Sequence, residues 1–489
     1  MSSQQEIFAE RRKKRDILIQ NGKNPYQSKV KRTHTIEDFF LNFDSLQKTE
    51  QEVVVAGRVM SVRLHGALAF IDLFDGTTKL QVMMAKDVLG EEEFNLFSDT
   101  IDSGDFVTIT GVAFTTKRGV SALKSSTWDI LTKTINAIPA EHFGIKDEDT
   151  RYRKRYLDML LNPDLRVLFE KKAHFWQVTR DFMKSEGFLE VETPTLEVTT
   201  GGAEARPFVT HHNDFDMEVY LRISIGELWQ KKLMAAGFPK TFEIGRAYRN
   251  EGSSPEHLQE FTNLEFYWAY ANYRDGMELV KKMYRHIAKE VFATTKFTVR
   301  DHTFDLADEW TEIDYANTIA EKTGIDIHSS SDADMEQCLK KLGVQYEGQN
   351  RERLMDTLWK YCRKSIAGPA FLVNHPELVA PLAKTIPGTQ TVEMFQPIIA
   401  GSEVGRGYSE LNDPDDQRRR FEIQQQLLEA GDEEAMMPDW EFVDMLEYGI
   451  PPTCGFGFGE RLFSFLSGLP LRETQMFPLM RPKHSDYSE

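Results

Sequence analysis

The sequence predicts an α+β protein in two parts: a small five-stranded β-barrel, then a larger domain whose mainly antiparallel sheet is flanked by helices. Five short β-rich runs with glycine-marked turns fall between residues 53 and 132. Beyond residue 165, strand-like and helical runs alternate without the strict βα repeat of a parallel sheet. Charge divides the chain at about the same place. Residues 1–160 carry 23 Lys and Arg against 23 acids, whereas residues 161–489 carry 36 against 54 and hold all of the net −18.

The 489 residues are enough for more than one hydrophobic core. With 40% hydrophobic and 28% charged residues, the composition excludes collagen-like, low-complexity and wholly disordered chains. No run approaches the ~18 uncharged apolar residues of a membrane span. The opening MSSQQEIFAERRKKR has no apolar leader, and the cysteines Cys338, Cys362 and Cys454 are scattered. Together these features predict a cytoplasmic protein without disulfides and away from membranes. An acidic body is a poor general binder of polyanions, so nucleic-acid contact is expected to be local and shaped.

Residues 1–50 form a polar helical extension, broken by NGKNPY at 21–26. Residues 11–32 hold nine Lys or Arg against one acid, Asp16. Both a solvated helical face and a phosphate-contacting one fit that run. Residues 51–134 are the barrel, with strands in VVVAGRVMSVR, ALAFIDLFD, TKLQVMM, DFVTITGVAFTT and GVSALKSSTWDIL. Their number and spacing suit an OB-type barrel, with a sandwich as the alternative. Residues 135–164 form a linker in which an acidic cluster meets a basic one. The second domain, 165–489, opens with a helix over 165–187, where Leu168, Phe169, Phe175, Val178, Phe182 and Met183 recur at near-helical spacing. Strand-like runs follow at FLEVETP, FVTHH, VYLRI, KTFEIGRAYR, EFTNLEFYWAY and QPIIAGSEV, before the glycine-rich PPTCGFGFGERLFSFL. An acidic helical insertion occupies the region near 310–365.

Several chemistries are absent from the pattern. There is no GxxxxGK[ST] phosphate loop, no HExxH and no GxSxG. GFGFG at 455–459 lacks the spacing of a dinucleotide fingerprint. His211 and His212 are adjacent, so on a strand they point to opposite faces and read as structural residues, not a metal pair.

Three segments carry chemistry. In GFLEVETP (187–194) a helix end runs into a strand that Pro194 interrupts, which places the strand at an edge or interface. FEIGRAYRNEG (242–252) and EFTNLEFY (260–267) read as strand, loop, strand. Arg249 and Glu251, two residues apart, are expected to share a strand face. An arginine fork can grip a phosphate or carboxylate, and a glutamate can accept from an exocyclic amine. Glu265 and Tyr267 share a face on the return strand, and Phe261 offers a flat ring for a base. The third segment is the glycine run ending in Arg461, where glycines permit close backbone approach and the arginine adds a second fixed charge.

These segments resemble motifs 1, 2 and 3 of the class II aminoacyl-tRNA synthetases. The chain from about 50 to about 483 is similar to the bacterial-type lysyl-tRNA synthetases, through GGAEARPFVTHHN (201–213), YLRIS…GEL (220–228), GYSELNDPDDQ (407–417) and the PPT before the last motif. The resemblance implies an anticodon-binding OB domain over 51–134 and a class II catalytic domain over 165–489. It implies a lysine–tRNA ligase that turns lysine and ATP into lysyl-adenylate and moves the lysyl group to the 3′ end of tRNA(Lys). ATP is then a substrate, Mg2+ a cofactor, and a homodimer forms through the segment around Pro194. By the same resemblance, Gly202 and Glu227 hold the α-amino group, and Arg249 holds the carboxylate and the α-phosphate. Glu265, Tyr267, Tyr408 and Glu410 shape the side-chain end of the lysine site. Glu251 and Phe261 read adenine, His257 and Arg461 face the phosphates, and Glu403 serves ATP and the metal. Arg249 and Arg461 are the catalytic pair, and Arg63, Phe70 and Gln81 are the anticodon contacts. For Phe70 a barrel-core role is the alternative.

The chain departs from that family's pattern in identifiable places. His257-Leu258-Gln259-Glu260 stands for His-Asn-Pro-Glu, and Ser224-Ile225-Gly226 adds one residue before Glu227. Gly459-Glu460-Arg461 is one residue short, and Ala67 replaces a lysine in the barrel. Gln396 replaces one of two metal carboxylates, which leaves Glu403 as the candidate ligand, because an amide binds a hard cation less well. Arg406 replaces a pocket asparagine and is expected to turn away or pair with an acid. The alternatives are an aspartate- or asparagine-type class II synthetase, a lysyl transferase acting on protein, and a non-catalytic synthetase-derived nucleic-acid-binding protein. The pocket acids disfavour an anionic substrate side chain.

Overall fold

Alternating burial builds the first unit. The computed structural model describes residues 4–139, 144–203, 205–252, 254, 256–346, 350–431 and 435–483. Parts of the expected linker (140–143), of the 201–213 segment (Glu204) and of the insertion (347–349) lie outside the described residues. The first strands are β1 (Glu52–His65), β2 (Leu68–Phe74), β3 (Lys79–Ala85), β4 (Phe106–Thr115) and β5 (Ser121–Thr132). In β2, Ala69, Ile71 and Leu73 are buried; in β3, Leu80, Val82 and Met84. One face is therefore apolar, and closing the sheet hides it. The strands close in the order β1-β2-β3-β5-β4, with β3 and β5 parallel and β1 and β4 completing the ring. A closed barrel, not a sandwich, is what forms.

The 1–50 extension belongs to this barrel, because Leu18, Ile36, Phe39, Phe43 and Leu46 join its core. Several of its basic residues are spent on internal contacts. Arg11 Nη1 donates to Thr134 Oγ1 at 2.6 Å, and Lys14 and Lys23 pair with Asp102 and Glu93 at 2.7 and 3.1 Å. The expected linker contains two short helices, Glu148–Arg153 and Arg155–Leu161, and the chain divides between Leu161 and Asn162 instead of at 134 and 164. Buried Arg155, paired with Asp158 at 2.9 Å, fixes a segment that its charge pattern made look like a connector.

The second unit opens with a helix, Pro163–Ser185, capped by Asn162 and started by a proline at its first position. Its strands are β6 (Leu189–Glu190), β7 (Leu196–Glu197), β8 (Val209–His212), β9 (Met217–Leu221), β10 (Lys240–Tyr248), β11 (Glu260–Ala269) and β12 (Lys296–Val299). After these come β13 (His302–Asp305), β14 (Thr311–Asp314), β15 (Ala370–Pro376), β16 (Thr391–Ile399), β17 (Ser402–Glu403), β18 (Arg406–Ser409) and β19 (Thr453–Gly459). One sheet of nine strands runs β14-β15-β16-β18-β19-β11-β10-β6, with β17 on β16. Only β14–β15 and β10–β6 are parallel. One face of this sheet, through Phe242, Leu264, Phe266, Phe395, Phe456 and Phe458, packs with residues of the helices Pro163–Ser185 and Tyr273–Phe292.

The insertion differs from its expectation at its start. Its first four residues form β14, which extends the sheet beside β15. The helices Tyr315–Thr323, Asp332–Lys341 and Arg351–Cys362 follow, around Ile319, Met335, Leu339, Leu354, Leu358 and Trp359. Among the described residues no helix is long and apolar enough to cross a membrane.

Candidate active site

The second face of the large sheet carries the site, and the glycine run in β19 makes room for it. Phe456 and Phe458 point into the core, so Gly455, Gly457 and Gly459 face the other way. Gly455 lies between Tyr267 on β11 and Tyr408 on β18, and Gly457 between Glu265 and Arg406. A Cβ at Gly455 would stand 2.2 Å from Glu410 Oε1 and 2.7 Å from the Tyr267 ring. Only glycine admits both neighbours. The cavity above it measures about 550 Å³. All the residues predicted for the second unit line it: Gly202, Glu227, Arg249, Glu251, His257, Phe261, Glu265, Tyr267, Glu403, Tyr408, Glu410 and Arg461.

One end of the cavity is acidic. Gly226, at φ +62°, starts the helix Glu227–Ala235 and puts Glu227 in its first turn. The additional residue before it is absorbed in this turn, where the Ile225 N–H donates to Glu265 Oε1 at 2.7 Å. Gly202 presses against Glu227: a Cβ there would lie 2.9 Å from Glu227 Oε2. The Tyr408 hydroxyl donates to Glu227, and the Tyr267 hydroxyl to Glu265 Oε2 at 3.3 Å. One helical turn on from Glu227, the buried Lys231 ammonium bridges Glu227 Oε1 at 2.8 Å and Glu410 Oε2 at 2.6 Å. The rings of Tyr267, Tyr408 and Phe442 surround it at 5.9, 5.5 and 5.6 Å. Burial, with repulsion from Glu227, pushes Glu265 up to about 7 against the opposing pull of Arg249. Burial also dominates at Glu410, pushed up to about 8 although Lys231 pulls it down. Glu227 and Glu410 thus share one resident ammonium, and Glu265 is held by the Ile225 N–H and the Tyr267 hydroxyl.

The other end is cationic. Strand β10 ends at Tyr248, so Arg249 and Glu251 stand in the loop after it and do not share a strand face. The alternation of the sequence continues past the point where pairing stops, at Tyr248 opposite Glu260. Arg249 is fixed instead by its N–H to Gln259 O at 2.8 Å and its Nε to Ile223 O at 3.2 Å, and its guanidinium lies 5.4 Å from the Phe261 ring. Glu251 is exposed at the rim. In the shortened last motif Glu460 turns inward: Oε1 accepts from Thr262 N at 2.9 Å, and Oε2 takes Lys172 and, at 3.0 Å, Gln475 Nε2. Arg461, next in the chain, still lines the cavity and pairs with Glu256. His257 contacts Ser254 Oγ at 2.7 Å, and burial together with Arg461 lowers its pKa.

The positions expected to hold metal are partly committed. Glu403 Oε1 accepts from Trp359 Nε1 at 2.6 Å and lies 3.9 Å from Arg363 Nε. Burial opposes its charge, yet Arg363, Trp359 and Arg461 together hold it below the usual carboxylate range. Gln396 Oε1 sits 2.9 Å from His375 Nε2. Burial drives His375 down to about 4, so the ring is neutral and this nitrogen donates to the amide. Among the described residues Arg406 pairs with no acid; its Nη2 donates to the Val379 carbonyl at 2.6 Å, and it lines the cavity. Among the described residues no group of three or more His, Cys, Asp or Glu is placed to hold a metal.

Residues 147–481 match the model of the tRNA synthetases class II (D, K and N) family, and residues 53–127 match that of the OB-fold nucleic acid binding domain. The chain belongs to the class II tRNA synthetases of the D, K and N group. Relatives named lysine–tRNA ligase are similar over nearly its whole length. The Halalkalibacterium halodurans protein is 40% identical across 99% of this chain and 98% of its own. Those of Thermotoga maritima and a Roseiflexus species are 39% and 38% identical, over 99% and 98% of this chain and 98% and 99% of their own.

In this class II synthetase the barrel presents a polar face. Arg63 on β1 is opposite Phe70 on β2, and Asp72 is opposite Gln81 on β3, so Arg63, Phe70 and Gln81 lie outward on neighbouring strands. Phe70 is half-buried and lies outside the barrel core, which removes the core alternative. Arg63 is held by Asp72 through bonds of 2.8 and 3.1 Å. The synthetase's insertion supplies what sequence reasoning missed: Trp359 and Lys360 from the helix Arg351–Cys362, and Arg363 just after it, all on the cavity. Lys231 was missed as well, although the spacing Glu227-x-x-x-Lys231 is an i,i+4 pair.

Proposed function

We propose that this synthetase is a lysine–tRNA ligase. The observation that carries the reading is the polarity of the cavity: Glu227, Glu265 and Glu410 at one end, Arg249 and Arg461 at the other. A lysine molecule matches it, with two ammonium groups toward the acids and its carboxylate toward Arg249. The carboxylate oxygen attacks the α-phosphorus of ATP, and the bond to pyrophosphate breaks. Positioning and fixed positive charge suffice for this step, and no general base is needed. Phe261 stacks on adenine while Arg461 and His257 face the departing phosphates. A hydroxyl of the terminal tRNA ribose then attacks the carbonyl of lysyl-adenylate, and AMP leaves.

The residues fit one magnesium ion, which Glu403 would hold, and do not fit a second, because Gln396 is an amide committed to His375. Such an ion would supply neutralisation of phosphate charge. The barrel's outward Arg63, Phe70 and Gln81 read the anticodon of tRNA(Lys). Two copies pair through the segment from Leu189 to Val198, where Leu189, Leu196 and Val198 are exposed. The protein works in the cytoplasm, where its substrates are. Charging of purified tRNA(Lys) with labelled lysine is the test. Attachment of lysine to tRNA(Lys) and not to tRNA(Asp) supports the reading; attachment of aspartate or asparagine to their tRNAs contradicts it.

A further inference from the structure

The acidic end of the cavity has a cation of its own, buried in the wall. The Lys231 ammonium ties the helix Glu227–Ala235 to the chain just after β18, through Glu227 Oε1 at 2.8 Å and Glu410 Oε2 at 2.6 Å. The next residue, Lys232, lies instead over the Trp229 ring at 4.6 Å. The second oxygens of the two acids stand against glycines of the cavity wall. A Cβ at Gly202 would lie 2.9 Å from Glu227 Oε2, and one at Gly455 would lie 2.2 Å from Glu410 Oε1. A buried lysine clamped between two acids gives folding little, since apolar side chains of like volume fill such a space as well or better. The acids find their use in the cavity they line, and the lysine finds its use in the acids.

We propose that Lys231 is a specificity-determining residue of the amino-acid site: it fixes one oxygen of Glu227 and one of Glu410, and sets the charge of this end to suit a substrate with two ammonium groups. The proposal rests on the lysine-binding reading above. Glu227, Glu265 and Glu410 against Lys231 leave a surplus of two negative charges, the number of ammonium groups that lysine carries, while Arg249 meets its carboxylate. Burial drives Glu410 up, and Lys231 pulls it back. Without Lys231 the surplus would be three, and the buried acids would keep a proton in place of a charge. The other ionisable groups facing the cluster do not take over this task. Tyr267 on β11, Tyr408 on β18 and Cys454 on β19 are driven up by burial and stay neutral. Arg249, after β10, and Arg406, on β18, are permanent cations of the other end, and the helix Trp440–Glu447 presents Phe442. Lys231 acts through the two glutamates and is a positioning residue.

The test is ATP–pyrophosphate exchange by the full-length protein, with lysine varied across a series of pH values. In Lys231→Met the acids should ionise about one pH unit higher or more. KM for lysine should therefore exceed the wild-type value by about tenfold or more near about pH 6.5, and by only about two- to fourfold near about pH 9. Titration of lysine itself is common to both proteins and cancels in the ratio. KM for ATP should stay within about twofold, since Lys231 is at the opposite end. Lys231→Gln keeps donors for both acids without the charge, so it carries the same expectation where Lys231→Met does not fold. Lys231→Arg keeps the charge and should keep the wild-type pH midpoint. A merely structural role would raise KM for lysine by the same factor at every pH, and that result would overturn the proposal. A shifted midpoint in Lys231→Arg would overturn it too, by placing the effect in shape and not in charge. Both results leave the ligase reading intact, whereas a wild-type protein without lysine-driven exchange would defeat that reading and the proposal with it.

Discussion

Arg249 has the most direct task of any residue in the proposed reaction, because the reacting carboxylate and α-phosphate meet at its guanidinium. Arg249→Ala should lower ATP–pyrophosphate exchange by a factor of at least ~100, since a single fixed stabiliser of developing charge supplies roughly 3–4 kcal/mol. A folded variant with near-normal exchange would place the site elsewhere. The acidic end makes a prediction in pH. Glu265 and Glu410 are pushed up to about 7 and about 8, so below these values they are neutral and bind an ammonium poorly. Lysine affinity should therefore rise as pH climbs through that window, and binding should release protons. Calorimetry in buffers of differing ionisation enthalpy measures the release; a flat affinity or proton uptake would contradict the assignment. Lys231→Met should cost about 3–5 kcal/mol of stability, because it leaves buried Glu227 and Glu410 without their shared counterion. Thermal or denaturant unfolding reads that loss. Glu265 and Tyr267 were legible as a pair because strand side chains repeat every second residue. Trp359 and Arg363 were not, because they meet Glu403 only through folding of a separate insertion.

At the scale of elements, the barrel strands and the β10–β11–β19 core of the sheet could be read from alternation and turn glycines. The misreadings have local causes. The four residues of β14 show two exposed and two half-buried positions, which gives no alternation to read, and only their pairing with β15 makes them a strand. The loop after Tyr248 keeps a strand-like pattern beyond its last paired residue. Phe70 tests the barrel's role. It lies outside the barrel core, so Phe70→Ala should leave the melting transition nearly unchanged. Loss of one stacking ring should cost about 1–3 kcal/mol of RNA binding, or roughly ten- to a hundredfold in tRNA affinity. Charging of tRNA should fall while ATP–pyrophosphate exchange stays normal. Unchanged charging with an unchanged melt would remove this face from tRNA recognition.

Over the whole molecule the charge pattern and the division of labour agree. The first 160 residues are electrically neutral, and the acidic remainder concentrates its function in one cavity with opposed ends. Membership of the D, K and N group leaves three substrate amino acids in play, and the pocket acids choose among them. ATP–pyrophosphate exchange without tRNA, run across the standard amino acids, tests that choice most directly. Rapid exchange driven by lysine alone is the predicted result; exchange driven by aspartate or asparagine, or by no amino acid at all, would contradict it.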